Sequence, residues 1–126
     1  MLSLLQVVNH KGEVVISRQF RDDITRSTAE AFGAKVVATK ETGSLPPVKI
    51  IEGASFLYTR HSNLYFVAVT RSNVNPALIF EFLFQWVRIL KSYLTENFGE
   101  EQVRNTMTLL YELMDGKIIQ KRFLAL

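Results

Sequence analysis

The stretch Asn73–Leu94, NVNPALIFEFLFQWVRILKSYL, constrains this chain most, because it carries more apolar surface than one helix face can hide. Asn75 followed by Pro76 opens a helix: the asparagine side chain accepts from an amide of the first turn, and proline has no N–H to leave unsatisfied there. At about 100° per residue, the polar residues Glu81, Gln85, Arg88, Ser92 and Thr95 fall into one stripe. The other positions divide into two apolar sectors. Ile79, Phe82, Trp86, Ile89 and Tyr93 make one; Phe80, Leu83, Val87, Leu90 and Leu94 make the other, with Phe84 at its edge. A helix resting on a sheet hides a stripe somewhat wider than about 100°, so this one must be covered from two directions. Two compatible readings follow: the sheet and a second helix cover the two sectors, and part of the helix docks on another protein. For docking, Phe82, Trp86, Ile89 and Tyr93 are the candidate contacts, since tryptophan and tyrosine are favoured buried anchors at interfaces.

The remaining chain supplies the sheet. Ser3–Val8 and Glu13–Arg18 are short aliphatic runs separated by NHKG, whose Gly12 can take the positive φ of a tight hairpin. STAEAFGAKVVATK, from Ser27, reads as a helix opened by a capping box of Ser27 and Glu30, with Ala29, Phe32 and Val36 on its apolar face. ETGSLPP is a loop, because Gly43 and Pro46–Pro47 cannot continue a helix. VKIIEG follows as a short strand. ASFLYTRHSNLYFVAVTRS reads as two strands folded about Arg60–Asn63 and placed at the sheet centre. The long helix runs to about Asn97. After FGEEQ a last helix carries Val103, Met107, Leu110 and Met114 at helical spacing and stops at Gly116. The order β-β-α-β-β-β-α-α implies an α/β fold with a five-stranded mixed sheet and helices against its faces.

With 126 residues, one core is expected. There is no cysteine, which removes disulfides, thiolate metal sites and cysteine nucleophiles and makes the cytosol the default compartment. The first residues lack the basic start of a signal peptide. Ala77–Leu90 is interrupted by Glu81, Gln85 and Arg88, whereas a membrane span needs about 20 largely apolar residues. The net charge of +3 is scattered, with no basic run that would grip nucleic acid. Catalysis finds little support: His10 and His61 both lie in turns, His61 beside Ser62 has no acid to orient it, and Asp22–Asp23 between Arg21 and Arg26 reads as a solvated loop. HKGE is not a phosphate loop and no G-x-G-x-x-G occurs, so no cofactor is expected.

Three segments resemble a known family. NHKGEVVISRQFRDDI (9–24), YTRHSNLYFVAVTRSNVNPALIFEFL (58–83) and LLYELMD (109–115) are similar to the N-terminal domain of the medium (mu) subunits of heterotetrameric clathrin adaptor complexes. NHKGEVVISR followed by RDDI looks most like the endocytic branch, adaptor protein complex 2. The resemblance implies a longin (SNARE-like) domain over residues 1–115, no enzymatic activity, and docking on the large beta subunit beside the other adaptor subunits. Clathrin and membrane association would then be indirect, through the complex, in the cytoplasm at coated pits of the plasma membrane. From Gly116 the family pattern is lost, and 116–126, GKIIQKRFLAL, forms a divergent tail without the family's C-terminal domain. The alternatives are a small (sigma-like) adaptor subunit or another longin-domain trafficking regulator. RSNVNPALIFEFL is mu-like, which disfavours the first.

Overall fold

The computed structural model describes residues 2–34, 48–72, 75–95 and 98–114. Its strands are β1 (Leu4–Asn9), β2 (Val14–Gln19), β3 (Val48–Ile51), β4 (Ala54–His61) and β5 (Leu64–Thr70). Its helices are α1 (Arg26–Phe32), α2 (Pro76–Tyr93), α3 (Glu100–Asn105) and α4 (Met107–Met114). Val36 and Gly116, to which the sequence assigned a packing and a stop role, lie outside the described residues, as does Asn97.

The five strands pair in the order β2-β1-β5-β4-β3. Every pairing is antiparallel, so the sheet is not mixed. The reason is the crossover through α1. It carries the chain from β2 at one edge to β3 at the other, so these two like-directed strands are never neighbours. β5 occupies the centre, flanked by β4 and by β1, all six of whose residues are buried.

Alternating side chains divide the interior into two cores. On one face Leu5, Val7, Leu57, Leu64, Phe66 and Ala68 pack with α2 and with Phe98, Val103 and Leu110. On the other, Leu4, Val8, Phe56, Tyr58, Val67 and Val69 pack with Ile24 and with Phe32 of α1. Phe32 stacks at 5.8 Å from Phe56 and meets Tyr58 edge-on at 5.0 Å. A bulge between Val7 and Val8 leaves Val15 without a partner, and it joins Ile16 in the first core.

Turn chemistry follows the sequence. Asn9 Oδ1 accepts from the amides of Lys11 and Glu13 at 3.0 and 2.9 Å, and Gly12 takes φ 88°. Glu52 and Gly53 close the β3–β4 hairpin with φ of 51° and 79°, the left-handed pair whose twist suits a two-residue turn. Glu52 is held there from two sides: Thr28 Oγ1 donates to its carboxylate, and Arg71 Nη1 donates to its carbonyl at 3.0 Å.

Three helix boundaries differ from the sequence reading. The N-cap of α1 is Thr25, whose Oγ1 accepts from the Thr28 amide at 3.2 Å, two residues before the expected Ser27. Glu30 therefore closes no capping box and pairs instead with Arg26 at 2.9 Å. α2 ends at Tyr93 because Leu94 leaves helical geometry at φ −100°, ψ −97°. The last helix is two, broken at Thr106 (φ −124°, ψ 30°), whose hydroxyl donates to the Gln102 carbonyl at 2.8 Å while its amide turns to Val103.

Candidate functional site

α2 begins as its residues dictate: Asn75 Oδ1 accepts from the Ala77 amide at 2.9 Å, with Pro76 at the first helical position. Its buried residues are Ile79, Phe82, Leu83, Trp86, Val87 and Leu90. Linked by i,i+3 and i,i+4 steps, these form one continuous stripe drawn from both sectors. The sheet therefore covers the seam between the sectors rather than either one alone.

The four candidate contacts separate accordingly. Trp86 is 1% exposed; it meets Phe66 edge-on at 5.1 Å and stacks on Phe82 at 6.1 Å. Phe82 is 2% exposed. Both belong to the molecule's own core. Ile89 is half-buried and Tyr93 is 59% exposed, so these two reach the surface. The Trp86 Nε1–H is buried without an acceptor among the described residues.

Two apolar flanks remain on either side of the polar stripe. Leu78, Ile89 and Tyr93 form one, with Leu78 and Tyr93 exposed. Phe80 and Phe84 form the other, their rings stacked at 6.4 Å, with Phe84 53% exposed. Between them run Glu81, Gln85 and Arg88, and Gln85 Nε2 donates to Glu81 Oε1 at 3.4 Å. Sequence spacing placed Phe84 at the edge of a sector but could not show it outside. Such aromatic and aliphatic surface beside hydrogen-bonding groups suits a protein partner better than a small molecule.

Of the residues weighed for chemistry, His61 and Asp23 are engaged in packing and pairing. The His61 ring packs on Phe98 at 4.6 Å, and Ser62 sits in a turn at φ 58°. Asp23 pairs with Arg21 at 3.4 Å, and its carbonyl accepts from Arg71 Nε at 2.6 Å. Arg71 thus ties the approach to α1 to the β3–β4 turn, a link between distant segments that spacing could not reveal. A second such link joins the β1–β2 turn to α3: Asn9 Nδ2 donates to Glu100 Oε1 at 3.1 Å, and Arg104 donates to Glu100 Oε2 at 2.7 Å. The Arg104 bond holds the Glu100 carboxyl below its ordinary value; Asn9 and the charges of Arg104 and His10 add to this, and partial desolvation opposes it. Burial, and then the neighbouring Tyr65, push the Tyr58 hydroxyl up. Among the described residues no group of three or more His, Asp or Glu could hold a metal ion, and no helix is long and apolar enough to cross a membrane.

No protein-family model matches the chain. It is 49% identical over 115 residues to the AP-2 complex subunit mu of Dictyostelium discoideum, and 42% over 115 residues to that of Caenorhabditis elegans. Each match covers 91% of this chain and 26% of the relative. The AP-1 complex subunit mu-1-I of Caenorhabditis elegans is 34% identical over 113 residues, 90% of this chain and 26% of that one. The chain thus spans about a quarter of the length of the curated relatives it matches. Among solved structures, a homology model of the full-length AP-3 complex in a stretched open conformation matches with a TM-score of 0.69 at 13% identity. That match covers 93% of this chain and 83% of the other, and it bears on the fold alone. An antiparallel five-stranded sheet between α1 and α2–α4 is a longin arrangement, and by the identities above the chain is similar to the N-terminal quarter of adaptor-complex mu subunits.

Proposed function

We propose that this domain is a non-enzymatic assembly module of a heterotetrameric clathrin adaptor in endocytic vesicle traffic, and that it docks on the large beta subunit through α2. The observation that carries the reading is the apolar surface α2 leaves uncovered, in a chain 49% identical to an AP-2 mu subunit over nearly its whole length. Leu78, Ile89 and Tyr93 make the contact. Phe82 and Trp86 support it from beneath, fixing the helix on the sheet without touching the partner. Higher identity to the two AP-2 chains than to the AP-1 chain supports the endocytic branch, and hence coated pits of the plasma membrane.

The test is co-purification of the chain with the trunk of an AP-2 beta subunit. Capture at micromolar concentration is expected, and Tyr93→Ala should weaken it by roughly tenfold or more, as for an interface anchor. A folded chain that fails to bind overturns the docking. Unchanged capture by a folded Tyr93→Ala variant removes Tyr93 from the contact.

A further inference from the structure

On the opposite side of the sheet from α2, a cleft of about 690 Å³ opens between α1 and the strands β1 and β2. Leu4, Val14, Ile24 and Ala29 form apolar walls; Gln6, Glu13 and Glu30 bring acceptor oxygens. Gln6 is fully buried. Its Nε2 donates to the Ala29 carbonyl at 3.3 Å, while Oε1 finds no donor among the described residues. A buried amide oxygen left without a donor is destabilising, so the cleft carries an unmet demand for an N–H group. Arg26, the cation among the lining residues, is already engaged with Glu30 at 2.9 Å. The lining therefore keeps an excess of negative charge and of acceptors, complementary to a cationic donor whose stem is aliphatic.

The β2 edge defines what bears that donor. β2 pairs only with β1 among the described residues. The Asn9 amide donates to the Glu13 carbonyl, so the backbone groups of Asn9, and by alternation of Val7 and Leu5, face β2. Their partners Ile16 and Arg18 face back. Ser17 and Gln19, which line the cleft, consequently turn their own N–H and C=O groups outward, the arrangement an added strand requires.

We infer that this cleft binds an extended segment of a partner protein that pairs with the edge of β2 and places a lysine or arginine side chain against Gln6 and Glu13. The methylenes of that side chain lie along Leu4, Val14 and Ile24, and its charged head meets the acceptors. The site is on the α1 face, so it is independent of docking through α2.

An acetylated, amidated octapeptide alternating valine and lysine, with its valine–glutamate counterpart as control, tests this by NMR titration of the isotope-labelled chain. The lysine peptide should bind saturably, shifting the amides of Ser17 and Gln19 and the side-chain amide of Gln6, with the glutamate peptide at least tenfold weaker. Glu13→Arg, at an exposed position, should weaken the lysine peptide at least tenfold with unchanged thermal unfolding; Gln6→Leu should do so where it folds. Three outcomes overturn the inference: no saturable binding, equal binding of the two peptides, or shifts centred on α2. Spermine reproducing the same shifts would reduce the cleft to a cation site and also overturn it.

Discussion

Gly33 and Gly12 meet backbone to backbone, which reverses an ordinary helix preference. Gly33 has helical geometry, φ −59° and ψ −45°, where alanine normally stabilises by about 1 kcal/mol. A Cβ there would run into the Gly12 carbonyl, which belongs to the β1–β2 turn and cannot swing aside as a side chain can. Gly33→Ala is therefore expected to destabilise, by about 1–3 kcal/mol as for overpacking, read as a lower urea midpoint; a rise would show that α1 parts from the turn freely. Glu100 gives the second residue-scale prediction. Its carboxyl is depressed, so its contribution to stability is present above the unfolded-state value, ordinarily 4.5, and is lost as pH falls through the lower folded value. Unfolding followed from pH 7 to pH 3 should show Glu100→Gln less stable than the parent at pH 7, with the difference closing below pH 4.5. Gly12 was legible as a turn residue because NHKG separates two aliphatic runs. Neither the Gly33–Gly12 contact nor the Glu100–Asn9 contact was legible, because contacts across 21 or 91 positions leave no periodic trace.

Each helix end was decided by a local hydrogen bond that competes with its neighbours. Thr25 and Ser27 both offer a hydroxyl near the start of α1, but Thr25 caps it, and the Thr28 hydroxyl adds a contact to Thr25 at 2.8 Å. Thr25→Ala should cost about 1 kcal/mol, within the usual range of about 0.5–2 for a lost cap. Ser27→Ala should stay within about 0.5 kcal/mol, as surface substitutions do; comparable losses in thermal unfolding would reinstate Ser27 as the cap. The S-x-x-E pattern misled because Glu30 has a better partner in Arg26 one turn back, an i,i+4 pair on the exposed side. The start of α2 was legible, since Asn-Pro admits one geometry. Its end was not, because LTEN has no glycine or proline to announce a stop. The break at Thr106 was equally silent, as threonine tolerates both helix and turn.

For the whole molecule, the sheet divides α2 into what holds the fold and what faces outward. Trp86→Ala should destabilise by about 3–5 kcal/mol, because the indole fills the core between Phe66 and Phe82. Tyr93→Ala, at an exposed position, should change stability by less than about 0.5 kcal/mol. Calorimetry beside the beta-trunk capture separates the two: lost binding in Trp86→Ala must accompany unfolding, whereas in Tyr93→Ala it must not. The sequence by itself determined the five strands, the three helical regions and their order, the excess apolar surface of α2 and the mu-like character of three segments, since all of these are written in periodicity, turn chemistry and local identity. Tertiary structure alone decided that the sheet is antiparallel throughout, because which strands become neighbours depends on how α1 crosses it. It likewise put Trp86 inside and Tyr93 outside although both share one helical sector, because the sheet covers the seam between sectors and α2 ends where Tyr93 begins to clear the core.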